Sequence, residues 1–133
     1  MNKLSLALTT SLVAAAILPA AVAASGAREI STSEAHAQMA AAAENETTAV
    51  MHLHHVVNCL VGPAGKGFDA KAGDPCKGMG KGALIDATPA ERPLLKEALR
   101  SADAGLKARD LAQAKKEARE AVEKLKQVEA TGG

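Results

Sequence analysis

TPAERPLLKEALRSADAGLKARDLAQAKKEAREAVEKLKQV, Thr88 to Val128, decides the fold class. It carries two helix start signals. Thr88-Pro89-Ala90-Glu91 sets a capping hydroxyl before proline at the first helical position and glutamate at the third. Asp110 stands before Leu111-Ala112-Gln113 in the same role. Leu95, Leu99, Ala102 and Leu106 recur at helical spacing after the first signal. Leu111, Ala114, Ala118, Ala121, Val122, Leu125 and Val128 do so after the second. The pattern predicts helices over 89–107 and 111–129. Only about three residues separate them, so they must be antiparallel neighbours. Lys115, Lys116, Glu117, Arg119, Glu120, Glu123, Lys124 and Lys126 fall on the outer face and read as a solvated surface, with Glu120 and Lys124 a favourable i,i+4 pair.

Upstream, Ser31-Thr32-Ser33-Glu34 has the form of a capping box. Ala35, Met39, Ala42, Ala49, Leu53, Val56 and Leu60 then keep one phase if Glu46 fills the gap. This predicts a long helix over 32–61. Asn45 and Thr47-Thr48 are weak helix formers, and a break at 45–48 is the alternative. Gly62-Pro63 ends the helix. The connection over 62–87 holds seven glycines and two prolines, longer than a compact domain usually keeps without a tether. Phe68, its large side chain, is expected to dock on the helices. The expected fold is all-α: a small antiparallel three-helix bundle, or four helices if the first breaks, with a disulfide-tethered Gly-rich loop.

The tether would be Cys59–Cys76. Residues 1–24 read as a secretory signal peptide: Met1-Asn2-Lys3, then an uncharged apolar run from Leu4 to Val22, closing on Ala21-Val22-Ala23. A membrane anchor is the alternative, and Pro19 with the small residues after it favours cleavage. About 110 residues then remain, enough for a single helical domain over 25–133 with a modest core. Two cysteines in an exported chain pair most simply with each other, and such a bridge contributes roughly 3 kcal/mol. The alternative is a pair of thiolate metal ligands. The expected location is periplasmic or secreted, with no membrane span in the mature chain.

Composition excludes other classes. Sixteen Lys and Arg against fifteen Asp and Glu give a net charge of +1. The one basic residue before position 25 is Lys3, so the mature chain is neutral and lacks a phosphate-binding footprint; no nucleic-acid partner is expected. Phe68 is the only aromatic residue besides the histidines, so bases, sugars and flat cofactors have little to stack on.

MHLHHVVNCL, Met51 to Leu60, concentrates three of the four histidines. At 100° per residue, Leu53, Val56, Val57 and Leu60 form the buried face, with His52 and Cys59 at its edge. His52 and His55 converge at i,i+3, and Met51 and His55 converge at i,i+4. His54 lies on the other flank near Asn58. These are half a site for a transition metal. Completion requires Met79 or Asp74 from the loop, or His36 if the chain folds back. Imidazole suits Cu(II), Ni(II) or Zn(II), and the Met51–His55 pair suits Cu(I). H-x-H-H is not the zinc-protease H-E-x-x-H. No C-x-x-C-H is present, and His54 and Met51 face outward with little aromatic lining, so haem is not expected. The glycines form no phosphate loop, and no Ser/His/Asp set exists. Cys59 with His55 resembles a nucleophile–base pair, but a bridged Cys59 cannot act. The chain is not expected to be an enzyme.

The series Ala98-Leu99, Ala102, Gly105-Leu106, Leu111-Ala112, Ala114, Ala118, Ala121 and Leu125 is similar to the repeats of small periplasmic metal-binding proteins, His-rich four-helix bundles. Cytochrome b562-type bundles and tetratricopeptide-like pairs share this hairpin pattern. The resemblance implies several divalent ions bound through surface histidines. The present hairpin has no histidine, so only His52, His54 and His55 carry over such a role, and the disulfide-bounded glycine loop is foreign to the pattern. Two expectations follow. One is an exported bundle binding a transition metal for buffering, storage or delivery, through His52 and His55 with Met51 and His54 as lesser candidates. The other is a non-catalytic envelope protein, structural or partner-binding, whose loop over 62–82 is the binding surface and whose histidines are incidental.

Overall fold

The computed structural model describes residues 20–132, with side chains from residue 26, and every regular element among them is helical. The chain forms α1 (Ala20–Ala42), α2 (Glu46–Val61), α3 (Ala83–Asp86), α4 (Arg92–Leu106) and α5 (Leu111–Thr131). Residues 1–19 of the expected signal peptide lie outside the described residues, and of 20–24 only the backbone is described.

The predicted helix over 32–61 is two helices. The chain leaves helical conformation over 43–45. Asn45 adopts an extended backbone, φ −143° and ψ 160°, and caps α2. Its Oδ1 accepts the Thr48 N–H at 2.9 Å. Such a cap contributes about 1 kcal/mol. Here it prevails over the continuous phase of small residues, because alanine packs on any helix face and sets no phase. The break returns α2 alongside α1.

The Ser31-Thr32-Ser33-Glu34 box does not start a helix either. Helix α1 is already under way at Ala20, and Ser33 is wholly buried within it. Its buried seam is Gly26, Ile30, Ser33, Ala37 and Ala40, spaced four, three, four, three. The expected seam of Ala35, Met39 and Ala42 is therefore displaced, and Met39 is 47% exposed.

The later helices follow their local signals closely. Asp110 Oδ1 accepts the Gln113 N–H at 2.8 Å. The Glu91 carboxylate accepts from both the N–H and the hydroxyl of Thr88, each at 2.7 Å. Residues 88–91 form a turn, so α4 starts three residues after the predicted position. Leu95, Ala98, Ala102 and Gly105 are buried on α4, and Ala114, Ala118, Ala121, Val122, Leu125 and Val128 on α5. Leu99, Leu106, Leu111 and Phe68 are half-buried against this core. Lys124 pairs with Glu97 at 2.9 Å and Glu120 with Lys116 at 3.2 Å, in place of the expected Glu120–Lys124 pair.

Side-chain contacts show how the four longer helices run. Glu97 meets Lys124, and Gly105 lies against Glu117, so α4 and α5 are antiparallel. Lys115 Nζ donates to Ala43 O at 2.9 Å at one end of α1, while Ile30 lies beside Glu129 and Gly132 at the other. Leu53 of α2 packs on Gly105 of α4. Among the described residues, no helix is long and apolar enough to cross a membrane.

The connection between α2 and α4 is strapped rather than free. Cys59 and Cys76 form a disulfide with Cα atoms 5.3 Å apart. Gly62 and Gly82 have φ of 70° and 112°, in the region that favours glycine. They pass so close that a Cβ on Gly62 would overlap the Lys81 carbonyl. Gly82 N–H also donates to the buried Glu29 of α1 at 2.9 Å. The loop thus leaves α2 and returns to it, lying over the end that bears the histidines. Its last residues, expected as loop, form the short α3.

Candidate metal centre

The turn over 43–45 brings His36 of α1 against His52 and His55 of α2. His36 Nδ1 lies 3.1 Å from His52 Nδ1 and 3.3 Å from His55 Nδ1. One ligand atom from each of the three falls within 4.8 Å of the others. Four ligands at a metal–nitrogen distance near 2.05 Å in tetrahedral array stand about 3.3 Å from one another. The two separations match that spacing, so the histidines are close enough to hold a metal ion.

Hydrogen bonding among the rings alone leaves a conflict. His55 Nε2 lies 2.7 Å from Ala72 O in the strapped loop. A carbonyl only accepts, so Nε2 carries the proton and, in the neutral ring, Nδ1 presents a lone pair. His36 Nδ1 has one in-plane position, holding either a proton or a lone pair. It can satisfy one neighbouring nitrogen and not both. A cation among three lone pairs removes the conflict. The Ala72 carbonyl then plays the part of the outer partner that metal-binding histidines commonly have, fixing tautomer and ring orientation.

The rings sit at 4.6–5.8 Å between centroids, with His55 roughly perpendicular to the other two. Burial, then the neighbouring His55 and His52, pushes the His36 pKa down to about 4. Burial, then His55, lowers that of His52. Both rings are neutral at pH 7, the form a metal requires.

Loop and helix meet through Asn58, which is wholly buried. Its Nδ2 donates to Asp69 O at 2.8 Å and Gly73 O at 2.6 Å, and its Oδ1 accepts the Asp69 N–H at 2.8 Å. These bonds bracket Ala72. Asn58 escaped the sequence reading, although an amide amid Val56, Val57, Cys59 and Leu60 is itself a sign of a buried polar partner.

Of the other ionisable candidates, His54 and Asp74 are not in the cluster. His54 Nδ1 is 3.7 Å from Asp69 Oδ2, on the loop side of α2. Met51 is 42% exposed. Asp74 Oδ1 accepts the Cys76 N–H at 3.0 Å and so shapes the loop. Cys59 and Cys76 are bridged, which removes the thiolate alternative. In comparisons with known proteins, no family model, curated protein or solved structure matches the chain.

Proposed function

We propose that this chain is a small exported helical-bundle protein that binds one transition-metal ion through His36, His52 and His55, for buffering, storage or delivery. The observation that carries the reading is the convergence of three imidazole nitrogens from two helices, with the His55 Nε2–H directed at the Ala72 carbonyl. A solvated helix surface does not gather three ring nitrogens nose to nose, because each gains more from water than from a facing lone pair. All three histidines are half-buried, which leaves a bound ion within reach of a donor or acceptor molecule. Cu(II), Ni(II) and Zn(II) all suit a set of three imidazoles.

Export is supported by the apolar segment before residue 24 and by the buried disulfide, a bond that persists in oxidising compartments. The expected location is the periplasm or outside the cell. The four longer helices read as an up-and-down bundle, in which metal sites between facing helices recur. The likeness of the α4–α5 hairpin to small periplasmic metal-binding proteins points the same way. The role is non-catalytic in this reading, with Cys59, four residues after His55, committed to the bridge.

A second reading has its own support. Pro63, Phe68, Asp74, Cys76 and Lys77 line a cavity of about 410 Å³ in the strapped loop, which fits a partner-binding envelope protein. Titration of the purified protein with Cu(II), Ni(II) and Zn(II), repeated on His52→Ala/His55→Ala, separates the two. The metal reading expects one ion per chain and at least a hundredfold loss in the double variant. Equal affinity in both proteins overturns it.

A further inference from the structure

The methionines distinguish among the metals that three imidazoles accept. The described residues include Met39, Met51 and Met79, and none of them is in the core. Methionine ordinarily fills irregular gaps between buried side chains. Here α1, α2 and the loop each carry one. Met39 is three residues after His36 and 47% exposed; Met51 is four before His55 and 42% exposed. Met79 Sδ accepts a hydrogen bond from Thr32 Oγ1 at 3.7 Å. Thr32 is four residues before His36, so Met79 reaches α1 about 6 Å along the axis from His36.

Met79 is held there by the loop's own architecture. Its N–H donates to Cys76 O at 3.0 Å, in the turn that follows the disulfide. The disulfide therefore fixes a thioether near the histidines, just as Asn58 fixes the Ala72 carbonyl beside them. A thioether is a weak hydrogen-bond acceptor, and exchanging the Thr32 hydroxyl for a metal costs it little. Its three rotatable bonds allow the sulfur to swing across one helical turn.

We propose that Met79 supplies the fourth ligand to the His36–His52–His55 centre and that the ion so selected is copper, taken up as Cu(I). Imidazole alone accepts zinc, nickel and copper, whereas a thioether favours the soft cuprous ion. This inference rests on the metal-binding reading and adds to it the identity of the ion.

The test measures Cu(I) affinity by competition with bicinchoninate, and Zn(II) affinity by competition with a chromophoric chelator, on wild type, Met79→Leu and His36→Ala. The expected result is at least a tenfold loss of Cu(I) affinity in Met79→Leu, with Zn(II) affinity within twofold of wild type. X-ray absorption of the Cu(I)-loaded wild type, which involves no variant, is expected to show sulfur bound to copper. Unchanged Cu(I) affinity in Met79→Leu, or nitrogen-only ligation in the wild-type spectrum, overturns the inference and leaves the metal reading in place. Unchanged affinity of His36→Ala for both ions overturns the metal reading as well.

Discussion

Replacing Asn58 by alanine tests whether the loop is a structural part of the histidine centre. The side chain makes three hydrogen bonds to the loop, two donated and one accepted. Each contributes about 1 kcal/mol net, more where the partner stays buried, so Asn58→Ala is expected to destabilise by about 3 kcal/mol. For a domain near 110 residues, that lowers Tm by about 12 °C. The same change frees the segment that carries Ala72, whose carbonyl orients His55. Loss of such an outer partner typically lowers metal affinity ten- to a hundredfold. Thermal unfolding by circular dichroism gives the first number and Zn(II) competition the second, both on oxidised protein so that Cys59–Cys76 stays closed. A Tm within two degrees of wild type would refute the reasoning about the clamp. A lowered Tm with unchanged metal affinity would refute the link from loop to His55.

Further tests bear on the rest of the frame. Burial raises the Glu29 pKa to about 7, opposed by the Gly82 N–H and reinforced by the nearby Asp86 and Asp74. A folded-state pKa above the unfolded value means the stabilisation is complete below about pH 4.5 and lost as pH rises through about 7, amounting to at most about 3 kcal/mol. Glu29→Gln is expected to remove this dependence and to melt above wild type at pH 8; parallel melting curves from pH 5 to pH 8 would contradict it. Cys59→Ala/Cys76→Ala releases the loop and is expected to cost roughly 3 kcal/mol. Denaturant unfolding measures that loss, and an unchanged midpoint would show that Asn58 and the Glu29–Gly82 contact hold the loop unaided.

The parts of the fold that were legible carry their signals locally. Helices α4 and α5 announce themselves through Thr88–Glu91 and Asp110, and their leucines and valines fix a face. The disulfide followed from two cysteines in a chain read as exported. The first half was harder because Ala35, Ala42 and Ala49 fit nearly any phase, so periodicity ran straight through Asn45 when the chain in fact turns there. The alternative of a break at 45–48 lies closer to the observed turn over 43–45, and that turn makes the site. His52 and His55 are three apart on one helix, and their convergence is a matter of helical geometry. His36 joins them only because α1 and α2 are separate and antiparallel, a tertiary fact with no local signature beyond the capping amide of Asn45. The Ala72 carbonyl is a backbone atom, and no side chain marks it.

The central claim is that His36 closes a metal site with His52 and His55 while His54, its neighbour in sequence, takes no part. A Zn(II) titration of wild type, His36→Ala and His54→Ala by calorimetry tests this most directly. The account predicts one ion per chain in the wild type, at least a hundredfold weaker binding in His36→Ala, and binding within twofold of wild type in His54→Ala. Equal loss in the two variants, or none in His36→Ala, would contradict it.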